Sequence, residues 1–495
     1  NRLSIFADFN RRLELMIVEN RLSRLLLLLF LTFIFCCAFY YLPEQIAGYP
    51  VKRIDLFADL REKSTIAAVD TLQQSWLEED TLTVDSVALQ RLAQEKVGID
   101  SVALALRDSL YKALYAVEGA DSTGIRIEDY SVGHIGLNRF FAALRNRTSL
   151  NRPVRIGFMG DSFIEGDILV ADFRSLMQKR FGGRGVGFVP ISSPAAQYRP
   201  TVKTTPAGWK TWSMLTDQEH AYTLSCLTFE AEEDKATFSI EATDKYPELD
   251  SVSSLKLIYE NNLSTQVRIS MEGSSDSMQV NLPPTQTMAQ YEWKGIINKA
   301  GFSFSQATGF RALGVAMENE EGVVVDNFSM RGNSGLVLER LDSIQCRALN
   351  DIRPYDLIIL QYGLNVANDS VMQYGWYGKR MEKVIHHIRH CFPTADVMLM
   401  GVSDRSRQEN GTFYTMPSVL ALLHAQRQAA KRAGTPFWNT YGAMGGKNSM
   451  ARYVENNWAS KDYTHLGFGG GRQLARILMD ALMSEMEFYE NAEQK

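Results

Sequence analysis

Val154-Arg155-Ile156-Gly157-Phe158-Met159-Gly160-Asp161-Ser162 decides the fold. It is a short apolar run of buried-strand type that opens directly into three turn-forming residues. A strand with few polar positions on either face belongs to a sheet covered on both sides, and such sheets are parallel. A second run, Asp356-Leu357-Ile358-Ile359-Leu360-Gln361, has the same character and ends just before Gly363 and Asn365. Around it the periodicity alternates between helix and strand. The spacing predicts helices over 336–350, 377–391 and 418–433, preceding strands 356–361, 396–401 and 436–441, and a terminal helix from near Gly470. This alternation gives a parallel sheet flanked by helices. In open sheets of this kind, reactive groups sit in the crevice at the carboxyl ends of the strands, where Ser162 and Asn365 fall.

Working outward, the helical spacing of Leu137, Phe140, Phe141 and Leu144 places a helix within 127–145 that packs on the first strand, and the pattern over 171–181 gives another after it. The character changes near Pro190. Alternating runs at 222–229, 236–240, 254–259, 266–271, 310–316 and 322–326, separated by polar turns, predict an inserted β-sandwich of jelly-roll type over 193–328. The α/β part is thereby divided into 126–192 and 329–495. Trp209, Trp212 and Trp293 of the insert fit either a sugar-stacking surface or a sandwich core. Trp376 and Trp458 fit either the wall of a site or the core.

The first quarter of the chain differs. Residues 25–42 carry no charge, follow Arg11, Arg12, Arg21 and Arg24, and end at Pro43, which reads as a single membrane-spanning helix; the alternative, a cleaved signal peptide, is disfavoured by the length of the run and by Tyr40-Tyr41-Leu42-Pro43, a poor cleavage site. By the positive-inside rule, 1–24 stays cytoplasmic and the rest is exported. Over 43–125 the mixed charges and helical spacing suggest a stalk or linker. At 495 residues with a net charge of −5, the chain has room for more than one domain and no polyanion-binding bias, so nucleic acid is not an expected partner. Two of the five cysteines lie in the apolar run. Cys226, Cys346 and Cys391 lack CxxC spacing and read as buried thiols or one incidental bridge. His386, His387 and His390 have a helical metal-site spacing without the glutamate of H-E-x-x-H, which favours a solvated helix face. Gly182-Gly183-Arg184-Gly185 lacks the Lys-Ser/Thr of a phosphate loop. Asp161 fits a residue that steadies its own loop by accepting backbone N–H groups.

Near the C-terminus, Asp462-Tyr463-Thr464-His465 completes a set. A serine hydroxyl needs a base to take its proton, and an acyl transfer needs donors for the developing oxyanion. Ser162 is the candidate nucleophile, His465 the base, Asp462 the group that orients the imidazole, and Asn365 a side-chain donor to the oxyanion. The three-residue spacing of Asp462 and His465 puts both side chains on one side of a helical turn.

Residue order and motifs resemble the SGNH, or GDSL-like, hydrolase superfamily. The first block is extended, running Met159-Gly160-Asp161-Ser162-Phe163-Ile164-Glu165-Gly166-Asp167 and continuing through Arg174, Leu176, Arg180, Phe181 and the glycine-rich 182–190. This is similar to the branch of peptidoglycan O-acetylesterases and polysaccharide acetyl-transfer enzymes. The resemblance implies a three-layer α/β/α catalytic domain that needs no cofactor or metal. It also implies oxyanion donors from the N–H of Ser162, a second-block glycine and Asn365. Gly332 fits that glycine, with Gly335 the other candidate. The implied activity is removal of O-acetyl groups from a cell-envelope glycan through an acyl-serine, with the enzyme anchored in a bacterial inner membrane and facing the periplasm. The same residues would serve acetyl transfer beside a membrane-bound O-acyltransferase partner, and a non-catalytic glycan-binding scaffold is the alternative from another class.

Overall fold

The computed structural model describes residues 45–46, 49–50 and 126–493, apart from 261–262, 273–276 and 370. The expected membrane helix over 25–42 and nearly all of the expected stalk lie outside the described residues. Among the described residues no helix is long and apolar enough to cross a membrane. Gln45–Ile46 and Tyr49–Pro50 pair antiparallel in a unit of their own, and the larger unit carries every other described element.

The centre of the larger unit is a six-stranded sheet, whose strands we number in chain order: β1 (Ile127–Asp129), β2 (Val154–Gly160), β3 (Val323–Ser329), β4 (Leu357–Gln361), β5 (Asp396–Met400) and β6 (Pro436–Trp438). They lie in the order β3-β2-β4-β5-β6-β1, with every pairing parallel except that of β1 on β6. Residues of β2, β4 and β5 are buried throughout, which requires cover on both faces and explains why these strands read as continuous apolar runs. Helices α1 (Asn138–Arg145), α2 (Val170–Phe181), α3 (Ser343–Ile352), α4 (Gly375–Cys391), α5 (Pro417–Ala433) and α6 (Phe468–Glu493) supply it. α1 packs on β2 and β5, α2 on β3 and α6, and α4 on α3, α5 and β5.

Register positions the site. Ser329, Gly160, Gln361 and Met400 are mutual neighbours across β3, β2, β4 and β5, so these strands end level. The chain order reverses beside β2, which makes this end of the sheet the topological switch point where α/β folds bind ligands. Gly160 is required there. A Cβ would stand 2.8 Å from Ile164 and 2.9 Å from the Gln361 carbonyl, so the loop carrying Asp161 and Ser162 could not turn so tightly over β4.

Between α2 and β3 the chain builds two antiparallel layers, one of six strands and one of five. One runs Ala289–Ile297, Val252–Glu260, Arg311–Glu318, Leu227–Ala231, Trp209–Ser213, with Gly187–Pro190 added on Arg311–Glu318; the other runs Met278–Leu282, Thr265–Met271, Lys299–Ser305, Lys235–Ala242, Val202–Ala207. Their inner faces share a core separate from that of the α/β part, including Phe229, Phe238, Phe302, Phe304 and Phe310.

Four expectations are corrected in detail. The run 322–326, read as sandwich, belongs to β3 and pairs with β2; its apolar character suits either sheet, and only the pairing partner decides. Gly187–Pro190, read as α/β, joins the sandwich. The 222–229 run is strand only from Leu227, because Tyr222, Leu224 and Cys226 turn into the α/β core. Ahead of α1, Ile127–Asp129 is an edge strand rather than helix, held by pairing with β6.

Candidate active site

Three loops leave the level strand ends together, and a fourth comes from the C-terminal region. After β2 the chain turns through Asp161 and Ser162 into a short turn at Glu165–Asp167. The side chain of Asp161 accepts the Phe163 N–H at 2.9 Å, the loop-steadying role expected of it. The 161–168 loop is pressed from outside by the start of α6, where a Cβ on Gly471 would stand 1.9 Å from the Ile168 carbonyl oxygen. A glycine is needed for that approach, and it draws the segment carrying His465 onto Ser162.

The Ser162 Oγ lies 2.9 Å from His465 Nε2, and His465 Nδ1 lies 2.7 Å from Asp462 Oδ2. With Nδ1–H donating to the carboxylate, Nε2 is left to accept the serine proton, the tautomer this network selects. The 462–465 segment is not a helical turn, as its spacing suggested. Asp462 Oδ1 accepts the backbone N–H groups of Thr464 and His465 at 2.9 and 3.0 Å, which folds the loop into an Asx-type turn and brings the same two side chains together. Partial burial pushes the Asp462 carboxyl up, but the His465 N–H groups and the Thr464 N–H outweigh it and hold it below its ordinary value. Tyr463, in the left-handed region at φ 55°, stacks on Phe413 with centroids 3.5 Å apart. Phe413 belongs to the hairpin Ser406–Glu409/Thr412–Thr415, whose Ser406 N–H donates to the Tyr463 carbonyl at 3.1 Å.

Asn365 stands over the same end of the sheet. Its Nδ2 donates to Asp161 Oδ2 at 3.0 Å and to the Asn333 carbonyl at 3.1 Å. An oxyanion on Ser162 would compete with the Asn333 carbonyl for the second hydrogen. Asp161 is fully buried, and burial pushes its carboxyl up to about 6 against the hydrogen bonds from Phe163 and Asn365 and the charge of His465.

The two second-block glycines differ. The Gly335 N–H is committed to Asn333 Oδ1 at 2.8 Å, and a Cβ on Gly335 would meet the Tyr362 ring at 2.8 Å. Gly332 is exposed at φ 77°, and among the described residues its N–H has no acceptor within the protein. Only Gly332 therefore has a donor to offer.

An open cleft of about 300 Å³ is lined by Ser162, His465 and Asp462 together with Glu165, Tyr198, Arg331 and Phe468. Glu165 stood in a motif read from the sequence without a role, Arg331 precedes the candidate glycine Gly332, and nothing local marks Tyr198. The tryptophans are elsewhere. Trp293 is buried, Trp209 packs on Phe304 and Phe310, and Trp212 stacks on His220 with the Lys210 ammonium also over its ring. Trp376 and Trp458 pack against the α/β core and are not among the cleft residues. Cys226, Cys346 and Cys391 are free and buried. His387 Nε2–H donates to the Leu341 carbonyl at 2.8 Å, and among the described residues no cluster of His, Cys, Asp or Glu could hold a metal.

The fold brings a serine, a histidine and an aspartate into the relative positions of a nucleophile, its base and the acid that orients the base. No protein-family model and no curated protein matches the chain. Among solved structures, it is similar to a peptidoglycan O-acetylesterase, with 19% identity, a TM-score of 0.59, and coverage of 73% of this chain and 99% of that one. Two others align with low scores: a family two carbohydrate esterase from Cellvibrio japonicus (10% identity, TM-score 0.24, 58% of this chain and 99% of that one) and a candidate GDSL-like lipase from Parabacteroides merdae (13%, 0.24, 32% and 72%). The first likeness establishes the fold.

Proposed function

We propose that this chain is a serine esterase that removes O-acetyl groups from a cell-envelope glycan, with peptidoglycan the leading candidate. The observation that carries the reading is the unbroken path from Ser162 Oγ through His465 to Asp462 at the floor of an open cleft. Ser162 Oγ attacks the acetyl carbonyl carbon while His465 Nε2 takes its proton, and Asp462 stabilises the imidazolium through Nδ1–H. The tetrahedral oxyanion takes hydrogen bonds from the Ser162 and Gly332 N–H groups and from Asn365 Nδ2. Collapse expels the sugar hydroxyl, which recovers the proton from His465, and water then releases acetate by the same steps.

Two features support a glycan and hydrolysis. Tyr198 and Phe468 flank the cleft with 69% and 42% of their surface exposed, offering flat apolar faces for sugar rings. The Asp462 and His465 side chains are 47% and 39% exposed, so water reaches the acyl-enzyme; a transferase would gain by excluding it. The apolar stretch 25–42 supports an inner-membrane anchor with the catalytic part in the periplasm.

The test is acetate release from O-acetylated peptidoglycan, and hydrolysis of an aryl acetate, by wild type and Ser162→Ala. A reading of this kind requires the variant to lose at least about a thousandfold in rate. Equal rates on both substrates would sink it.

A further inference from the structure

Resting on that esterase reading, we propose that the Glu165–Arg331 pair positions the oxyanion site, fixing the Gly332 N–H relative to Ser162 and cancelling a carboxylate charge beside the developing oxyanion. Glu165 lies three residues after Ser162 and is 9% exposed. Arg331 immediately precedes Gly332. Its Nε and Nη2 both donate to Glu165 Oε2, at 2.9 and 2.5 Å, and hydrogen bonding to the carboxylate raises the guanidinium further above its ordinary value.

The 330–335 loop is tied at both ends. The Met330 N–H donates to the Gly160 carbonyl at 2.9 Å, and the Asn333 carbonyl accepts from Asn365. Between these ties Gly332 meets little: a Cβ on it would find no atom within 4 Å, and its N–H has no acceptor among the described residues. The Asn333 N–H donates to the Met330 carbonyl at 3.2 Å and closes a turn over Arg331 and Gly332, and the Arg331 side chain joins that turn to the loop that carries Ser162. Oxyanion donors act only when they point at the charge before it forms.

Charge gives the pair a second effect. Alone, Glu165 would set a negative charge in the same cleft wall as the oxyanion, and like charges there oppose the transition state. The guanidinium removes that opposition. Arg331 is itself 73% exposed but Glu165 is largely buried, so Arg331→Ala alone leaves a buried carboxylate unpaired, a cost that the double variant does not carry and that separates catalysis from folding.

The experiment is a double-mutant cycle on the full chain with an aryl acetate, using Arg331→Ala, Glu165→Ala and both together, with Glu165→Gln as the conservative variant. Arg331→Ala is expected to lower kcat by about tenfold or more with KM within about twofold, and the double variant to be no worse than Arg331→Ala. Glu165→Gln, which keeps an oxygen for the guanidinium, retains kcat within about threefold. Affinity for phenylboronic acid, whose adduct on Ser162 carries a tetrahedral oxyanion, falls by the same factor as kcat. Single effects that multiply in the double variant, losses seen in KM, or a rate that returns together with the melting temperature in the double variant would overturn the inference while leaving the esterase reading intact. A wild type without Ser162-dependent activity would sink both.

Discussion

Asp161→Asn separates catalysis from stability at one buried atom pair. The carboxylate accepts the Phe163 N–H on one oxygen and Asn365 Nδ2 on the other. Burial raises its pKa from 3.8 to about 6, roughly two units, which at about 1.36 kcal/mol per unit is a cost of order 3 kcal/mol once the group is ionised. A folded pKa above the unfolded one means that the native state holds the proton more tightly. Stability is therefore lost as pH rises through the window from about 4 to about 6, and the whole cost is present at neutral pH. The amide removes that charge. Its carbonyl can still accept from Phe163, but its NH₂ then faces the NH₂ of Asn365. Either an unsatisfied donor pair remains, at about 1–3 kcal/mol, or Asn365 flips and turns its carbonyl toward the oxyanion. Loss of one such donor costs about 10²–10³ in kcat. The expected variant thus loses about a hundredfold in kcat on an aryl acetate. By urea unfolding at pH 8 it is as stable as wild type or up to about 2 kcal/mol more stable, the relieved charge offsetting the amide contact. On going from pH 8 to pH 4 only the wild type recovers, by about 2 kcal/mol, as Asp161 is protonated, so the balance shifts toward wild type and the variant becomes the less stable of the two. A kcat within about fivefold of wild type, or a loss of several kcal/mol at pH 8, refutes the argument.

Asp167 is fully buried, ion-paired to Arg174 and Arg199 and hydrogen-bonded by Asn327; Asp167→Asn leaves both guanidiniums short of a counter-charge and should cost about 3–5 kcal/mol by urea unfolding. Burial pushes that carboxyl up, but Arg174 and Arg199 outweigh it and hold it well below the usual carboxylate range, so the penalty should be constant from about pH 5 to 9 and shrink only below about pH 4. Phe413→Ala removes the ring stacked on Tyr463 and should lower kcat about tenfold through a looser 462–465 loop, checked against KM and the melting temperature. Gly335→Ala places a Cβ 2.8 Å from the Tyr362 ring and 3.0 Å from Met381 at φ 86°, so it should destabilise by more than about 2 kcal/mol in thermal unfolding. Gly332→Ala meets no atom within 4 Å and should cost only the roughly 1–2 kcal/mol of a left-handed backbone.

How far the sequence can be read depends on the reach of each physical cause. The parallel strands were legible because burial on two faces leaves a run of apolar residues that needs no knowledge of neighbours, and β2, β4 and β5 are buried throughout. Ser162, Asn365 and His465 were legible because each sits in a turn with a recognisable local pattern, the first two directly beside such a run. The edges were not. Ile127–Asp129 is a strand only because β6 offers it a partner, and Val323–Ser329 could serve either sheet until β2 pairs with it.

The same distinction separates the triad from the groups that steady it. Asp462 and His465 are joined by local turn chemistry that three residues can encode. Glu165 meets Arg331 across 166 positions of sequence, and Phe413 meets Tyr463 from a hairpin with no motif of its own. The insert adds a further long-range tie. Glu318, on a sandwich strand, is fully buried and takes ion pairs from Arg155 on β2, Arg353 before β4 and Lys256 on the neighbouring sandwich strand. Burial pushes this carboxyl up, but the three cations outweigh it and hold it ionised well below the usual range. Breaking a buried network of this kind costs far more than an exposed pair. The sandwich is therefore fixed to the sheet that carries Ser162, and a chain cut at 193 and 328 would sever β3 and unpair these charges rather than release an independent module.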